Sequence, residues 1–117
     1  MSIIKNIEKD INNLIKEAGY EVDNFILQPT SRPDLGDYQI NDCMNLAKKY
    51  HKNPREIALE VVKKLESDER FTNINIAGPG FINISFSNEF LIDSLNKIVE
   101  NIENNIDKIL IRLRVLN

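Results

Sequence analysis

Two alternating segments around a Gly-Pro-Gly turn constrain the fold of this chain more than any other feature. Ile74 and Ile76 alternate with asparagines in the first segment, and isoleucine and phenylalanine alternate with polar residues from Phe81 to Ser87. Alternation with period two is typical of strands with one buried face, and Gly78-Pro79-Gly80 supplies a turn between them. The sequence therefore predicts an antiparallel hairpin at residues 72–87.

The alternation assigns each side chain of the hairpin to one face. The predicted core side of the second strand carries Ile82, Ile84 and Phe86. The open face is then lined by Phe81, Asn83, Ser85, Asn73 and Asn75. An exposed aromatic ring beside amides suits an unpaired RNA base, because the ring stacks on the base while an amide hydrogen-bonds its edge. Two alternatives stay open: Phe81 covers the sheet edge, or it packs against a neighbouring domain.

Helical periodicity predicts the remaining elements. Residues 3–18 carry an apolar stripe between a predicted cap at Ser2 and a terminating Gly19. Further helices are predicted at residues 41–50, from Asn53-Pro54 to about Leu65, and from Asn88 through Ile102. Short strands are expected at residues 24–28 and 37–39.

This order of elements predicts one α+β domain. We expect a two-layer α/β sandwich with an α-β(2)-α-β(2)-like core, in which helices cover one face of a small mixed sheet. A length of 117 residues fits a single domain of this kind.

The chemistry-bearing residues are too few for a catalytic centre. One histidine and one cysteine exclude two-histidine motifs and thiolate zinc sites, and neither a phosphate-binding loop nor a nucleophile elbow is present. Asp34 and Asp37, which flank Gly36, are a candidate carboxylate pair, with turn and cap roles as the alternative. We therefore expect no catalytic residues, no metal and no cofactor in this chain.

The composition also bears on location and partners. A lone cysteine, Cys43, the absence of a signal peptide and the absence of a long apolar run predict a cytoplasmic chain with no membrane partner. The net charge of −3 argues against generic nucleic-acid binding. The basic residues concentrate at Lys48, Lys49, Lys52 and Arg55, which are weaker candidates for phosphate contacts. The alternative for this cluster is a solvated junction between two helices.

Three stretches carry a resemblance to a known family. They are Leu35–Lys49 with its Gly-Asp-Tyr segment, Asn53-Pro54-Arg55-Glu56-Ile57-Ala58, and Ala77-Gly78-Pro79-Gly80-Phe81-Ile82-Asn83. In this order and spacing they resemble the N-terminal additional domain of bacterial arginyl-tRNA synthetases. The resemblance covers residues 1–107 and implies that Phe81 and Asn83 contact a base of the tRNA D-loop. Phe81 stands where some relatives have tyrosine, which keeps the stacking surface and loses a hydroxyl group.

The resemblance implies a non-catalytic part of a class I, ATP-dependent arginine–tRNA ligase. Its partners are expected to be tRNA-Arg, bound at the outer corner, and the catalytic domain of the same synthetase, which uses the ATP. The alternative function is a protein–protein interaction module that uses the open sheet face.

The C-terminal residues depart from the family pattern. The catalytic motifs of the synthetases are missing, and residues 111–117 do not match the segment that follows in relatives. We treat residues 108–117 as a C-terminal tail, either truncated or a non-native linker to a catalytic domain absent from the sequence. An excised domain, a truncated reading frame and a stand-alone fragment all remain open.

Overall fold

The computed structural model describes residues 3–116, and the chain divides into two compact units after Ser87. The elements of the first unit are α1 (Ile3–Glu17), β1 (Gln28–Pro29), β2 (Tyr38–Ile40), α2 (Cys43–Tyr50), α3 (Pro54–Leu65), β3 (Phe71–Ala77) and β4 (Phe81–Phe86). The second unit consists of the helix α4 (Asn88–Leu116).

The strands form one four-stranded sheet in the order β1-β2-β4-β3. Helix α3 packs on β3 and β4, and α1 and α2 pack on α3, so the helices cover one face of the sheet. The predicted two-layer α+β architecture is confirmed. The prediction of a mixed sheet is wrong, because every strand pair is antiparallel.

The buried face of helix α1 is the apolar stripe that the sequence predicts. Ile7, Ile11 and Ile15 are no more than 1% exposed. The helix ends at Gly19 as predicted, where the amide of Gly19 donates to the Lys16 carbonyl and that of Tyr20 to the Ile15 carbonyl. The predicted cap at Ser2 lies outside the described residues.

Helix α3 begins as its sequence predicts. The side chain of Asn53 accepts a hydrogen bond of 2.9 Å from the amide of Arg55, and Pro54 occupies the first turn. The buried face of α3 consists of Ile57, Ala58, Val61, Val62 and Leu65. These are the apolar positions that the sequence predicts.

The hairpin is present, and its register confirms the core side. Ile76 pairs with Ile82 and Phe71 pairs with Phe86, with an irregularity between Thr72 and Asn75 where Asn73 adopts a positive φ of 49°. The strand predicted at residues 24–28 is wrong in position. Only Gln28 of that run belongs to a strand, and β1 pairs with β2 at Gln28 and Pro29.

Helix α4 extends further than predicted. It has 29 residues and runs without interruption through residues 108–116, the greater part of the predicted tail. From Leu91 to Val115 its large apolar side chains are exposed, in contrast to the apolar stripes of α1 and α3. None of the helices in residues 3–116 combines the length and the apolar composition that a membrane span requires.

Candidate functional site

The candidate site lies on the sheet face opposite the helices, where one rung crosses three strands. Gln39 of β2 and Asn75 of β3 are both register partners of Asn83 in β4. Since register partners share a face of the sheet, the three amides stand side by side. Gln39 was not singled out from the sequence, because nothing local shows that β2 pairs with β4.

The three side chains form a directional chain of hydrogen bonds. The Gln39 Nε2 donates to Asn83 Oδ1 at 2.9 Å, and the Asn83 Nδ2 donates to Asn75 Oδ1 at 3.1 Å. The Asn75 Nδ2 donates to the Leu35 carbonyl at 3.0 Å. The chain therefore ties the loop before β2 to the open face of the hairpin.

Asn83 is 0% exposed, although the alternation predicts that it lines the open face of the sheet. Period-two geometry does place it on that face, where its amide is hydrogen-bonded to Gln39 and Asn75. Its amide is hydrogen-bonded on both sides, which offsets the cost of burying a polar group.

Phe81 occupies the edge of the same face and is partly exposed. It pairs with Ala77, and its ring lies over the turn, within 3.5 Å of the position that a Cβ on Gly78 would take. Phe81 therefore presents an aromatic surface two residues from the amide rung.

The turn itself is held against the start of α3. The Arg55 guanidinium donates to the Gly78 carbonyl, and a Cβ on Gly80 would lie only 3.0 Å from Pro54. This close approach requires glycine at position 80, where φ is +154°. Of the four basic candidates, Arg55 is the one that hydrogen-bonds the Gly78 turn.

Lys52 and Lys49 lie instead at the contacting rings of Tyr20 and Tyr50. Lys52 Nζ donates to the Tyr20 hydroxyl at 2.9 Å, and that hydroxyl in turn donates to Glu60. Burial, and then the Glu60 hydrogen bond, raise the pKa of Tyr20. Lys49 Nζ donates to the Glu21 carbonyl at 3.2 Å, while Lys48 is exposed. Lys49 and Lys52 therefore have partners other than the Gly78 turn.

The loop before β2 is held by its acidic and glycine residues. A Cβ on Gly36 would lie 2.9 Å from the Ile84 carbonyl oxygen, so the loop approaches β4 as closely as glycine permits. Asp37 Oδ2 accepts a hydrogen bond from the Phe86 amide, and Asp34 pairs with Arg32 at 2.8 Å. Both carboxylates thus have structural partners, as the alternative to a catalytic pair predicts.

The described residues contain no group of three or more histidine, cysteine or acidic side chains placed to hold a metal ion. Cys43 is buried, which raises the pKa of its thiol to about 12 and keeps it protonated. The site itself offers a ring for stacking and a row of amides.

Comparisons with known proteins agree with the resemblance in the sequence. The family model described as the arginyl tRNA synthetase N terminal domain matches residues 1–86. The arginine–tRNA ligase of Thermotoga maritima is 40% identical over 99 residues, which make up 84% of this chain and 18% of that protein. The ligase of Laribacter hongkongensis is 45% identical over 75 residues, or 64% of this chain and 13% of that protein.

The solved structure of arginyl-tRNA synthetase from Plasmodium falciparum shares the fold, with a TM-score of 0.70 at 24% identity. The match covers 80% of this chain and 17% of the Plasmodium falciparum chain. The chain spans less than a fifth of the length of these relatives. Since the family model matches most of the sequence, this chain belongs to the family of arginyl-tRNA synthetase N-terminal domains.

Proposed function

We propose that this chain is the tRNA-binding domain of an arginine–tRNA ligase and docks the D-loop at the outer corner of tRNA-Arg. It performs no catalysis alone and binds no cofactor. The catalytic domain of the same synthetase uses ATP to activate arginine. The proposal includes the domain limits of residues 1–107 and a cytoplasmic location.

The partly exposed Phe81 ring beside the amide rung carries this proposal. Every base has a face that stacks on an aromatic ring, and single-stranded loops present such faces. A base extruded from the D-loop stacks on Phe81 and turns its polar edge toward the amides. The family membership supports the choice of a tRNA ligand over other single-stranded RNA.

Asn83 remains a proposed contact, although its side chain is enclosed. A base edge reaches Asn83 when it takes over one of the hydrogen bonds that Asn83 makes to Gln39 or Asn75. Such an exchange replaces one hydrogen bond by another, so its net cost is small. Phe81 therefore supplies most of the affinity, and Asn83 selects among bases.

Phosphate contacts contribute modestly in this proposal. Arg55 borders the Gly78 turn and is the first candidate, followed by Lys48, Lys49 and Lys52. The chain carries a net charge of −3, so we expect few released counterions and a shallow dependence of binding on salt.

The test is a titration of the isotopically labelled chain with arginine tRNA and with a non-cognate tRNA. Chemical shifts of Phe81 and its rung neighbours are expected to change. Phe81→Ala is expected to weaken binding about 5- to 150-fold, since one stacked base contributes roughly 1–3 kcal/mol. Phe25→Ala removes another partly exposed ring, which lies outside the sheet, and serves as the matched control.

The same variants in the full-length synthetase are expected to reduce charging of arginine tRNA, chiefly through KM for tRNA. Asn83→Ala is expected to have the smaller effect of the two. Unchanged kinetics for both variants would overturn the site. If the chemical shifts of Phe81 and its rung neighbours changed on addition of a protein domain but not on addition of tRNA, the protein–protein module would be favoured instead.

A further inference from the structure

Helix α4 carries an exposed apolar seam whose spacing is symmetric about Ile102. Leu91, Leu95 and Ile98 precede Ile102 by 11, 7 and 4 positions, and Ile106, Ile109 and Leu113 follow it by 4, 7 and 11. All seven side chains are 42–60% exposed. Because the pattern repeats every 11 residues, near the natural period of the helix, the seam stays on one face for about 33 Å.

The charges of α4 are arranged in the opposite way, with one sign at each end. Residues 88–107 contain five acidic side chains and one basic, Lys97. Residues 108–116 contain Lys108, Arg112 and Arg114 and no acidic side chain. The helix therefore has an acidic N-terminal part and a basic C-terminal part.

We infer that the α4 helices of two copies of this chain pair antiparallel, with Ile102 of each copy at the centre of the contact. In this arrangement every seam position meets an apolar seam position of the other copy. Leu91 faces Leu113, Leu95 faces Ile109, and Ile98 faces Ile106. The pair has two-fold symmetry and uses the same surface on both chains.

The charge distribution selects this orientation. An antiparallel pair places Glu89 and Asp93 of each helix beside the basic part of the other and Lys97 opposite Asp107, and it also opposes the two helix dipoles. A parallel pair would bring like charges together along its whole length. The seam supplies the affinity, because pairing removes seven apolar side chains per chain from water. This inference does not depend on tRNA binding.

The first test measures the mass of the 117-residue chain by light scattering or sedimentation. At about 100 µM, a concentration at which weak specific pairs form, we expect twice the monomer mass of 13.5 kDa. Ile102→Asp places two carboxylates at the centre of the contact and is expected to raise the dimer dissociation constant at least ~100-fold.

Ile111→Asp is the matched control, because Ile111 is 62% exposed on the opposite face of α4. It introduces the same charge on the other side of the same helix, and we expect less than a ~3-fold change in the dissociation constant. Circular dichroism of both variants checks that α4 remains helical. A monomeric parent chain, or a dimer that survives Ile102→Asp, would overturn the inference.

The second test determines orientation by disulfide trapping. Leu91→Cys and Leu113→Cys variants, mixed and oxidised, are expected to cross-link to each other, whereas neither cross-links to itself. The buried Cys43 is unreactive and does not interfere. Same-position cross-links would show a parallel pair and overturn the antiparallel assignment. A chain that stays monomeric yet binds the catalytic domain through α4 would assign the seam to that domain instead.

Discussion

Helices α1 and α4 have the same kind of apolar stripe but opposite environments. Ile7, Ile11 and Ile15 of α1 are at most 1% exposed, whereas the seven seam residues of α4 are 42–60% exposed. An amphipathic pattern therefore specifies which face of a helix is apolar and leaves open what covers it. In the first unit the cover is the chain itself, and for α4 we propose a second copy.

This difference has a thermodynamic consequence. Apolar burial within one chain stabilises it at any concentration, while burial between chains contributes only as the dimer forms. The stability of the first unit should therefore be independent of protein concentration. The helicity of α4, in contrast, should decline as the chain is diluted. Matched substitutions in the two regions test this contrast.

The largest difference is expected for the same deletion at a buried and an exposed isoleucine. Ile11→Ala in α1 leaves a cavity in the core and is expected to lower the free energy of unfolding by about 2–5 kcal/mol. Ile111→Ala in α4 removes an exposed side chain off the seam and is expected to change it by less than about 0.5 kcal/mol. Urea denaturation of the three proteins measures both values. Equal losses would contradict the contrast between the two helices.

A smaller contrast is expected for an added methyl group. Gly36→Ala would place its Cβ against the Ile84 carbonyl oxygen, and we expect a loss of about 1–3 kcal/mol. Val99→Ile adds a methyl group to a side chain that is 51% exposed and should leave unfolding unchanged. Thermal unfolding compares the two variants. If Gly36→Ala left thermal unfolding unchanged, the loop would be able to move away from β4.

The smallest contrast concerns ion pairs. Arg70 bridges Asp10 of α1 and Asp68 at 2.8 and 2.6 Å, and its hydrogen bonds lower the pKa of Asp68. A carboxyl whose pKa is lowered by folding stabilises the fold above its unfolded pKa, and this contribution is lost as the pH falls through the folded pKa.

Asp68→Asn is therefore expected to cost about 1 kcal/mol at neutral pH and to reduce the loss of stability on acidification. Asp93→Asn removes the exposed i,i+4 pair with Lys97 in α4 and should cost no more than about 0.5 kcal/mol. Urea midpoints measured from neutral pH down to about pH 3 separate the two variants. An equal pH dependence of Asp68→Asn and the parent would contradict the assignment.

Much of the fold was predictable because its signals are local. The caps at Gly19 and Asn53 and the Gly78–Gly80 turn all lie within a few residues of the elements they end or join. Strand β1 was misplaced because its partner is β2, and no short-range pattern distinguishes Gln28–Pro29 from the apolar run before it. The sequence likewise did not show that the strand pairs outside the hairpin, β1–β2 and β2–β4, are antiparallel.

The sequence by itself determined the helices, the hairpin and the face of each side chain in β4, because backbone periodicity sets these within a segment. It also carried enough family signal to single out Phe81 and Asn83. Only the tertiary structure decided that Asn83 is enclosed. One of the two side chains that hydrogen-bond Asn83, Gln39, lies 44 positions away and reaches it only because β2 pairs with β4. Burial of a polar side chain depends on such non-local pairing, and alternation along one strand does not encode it.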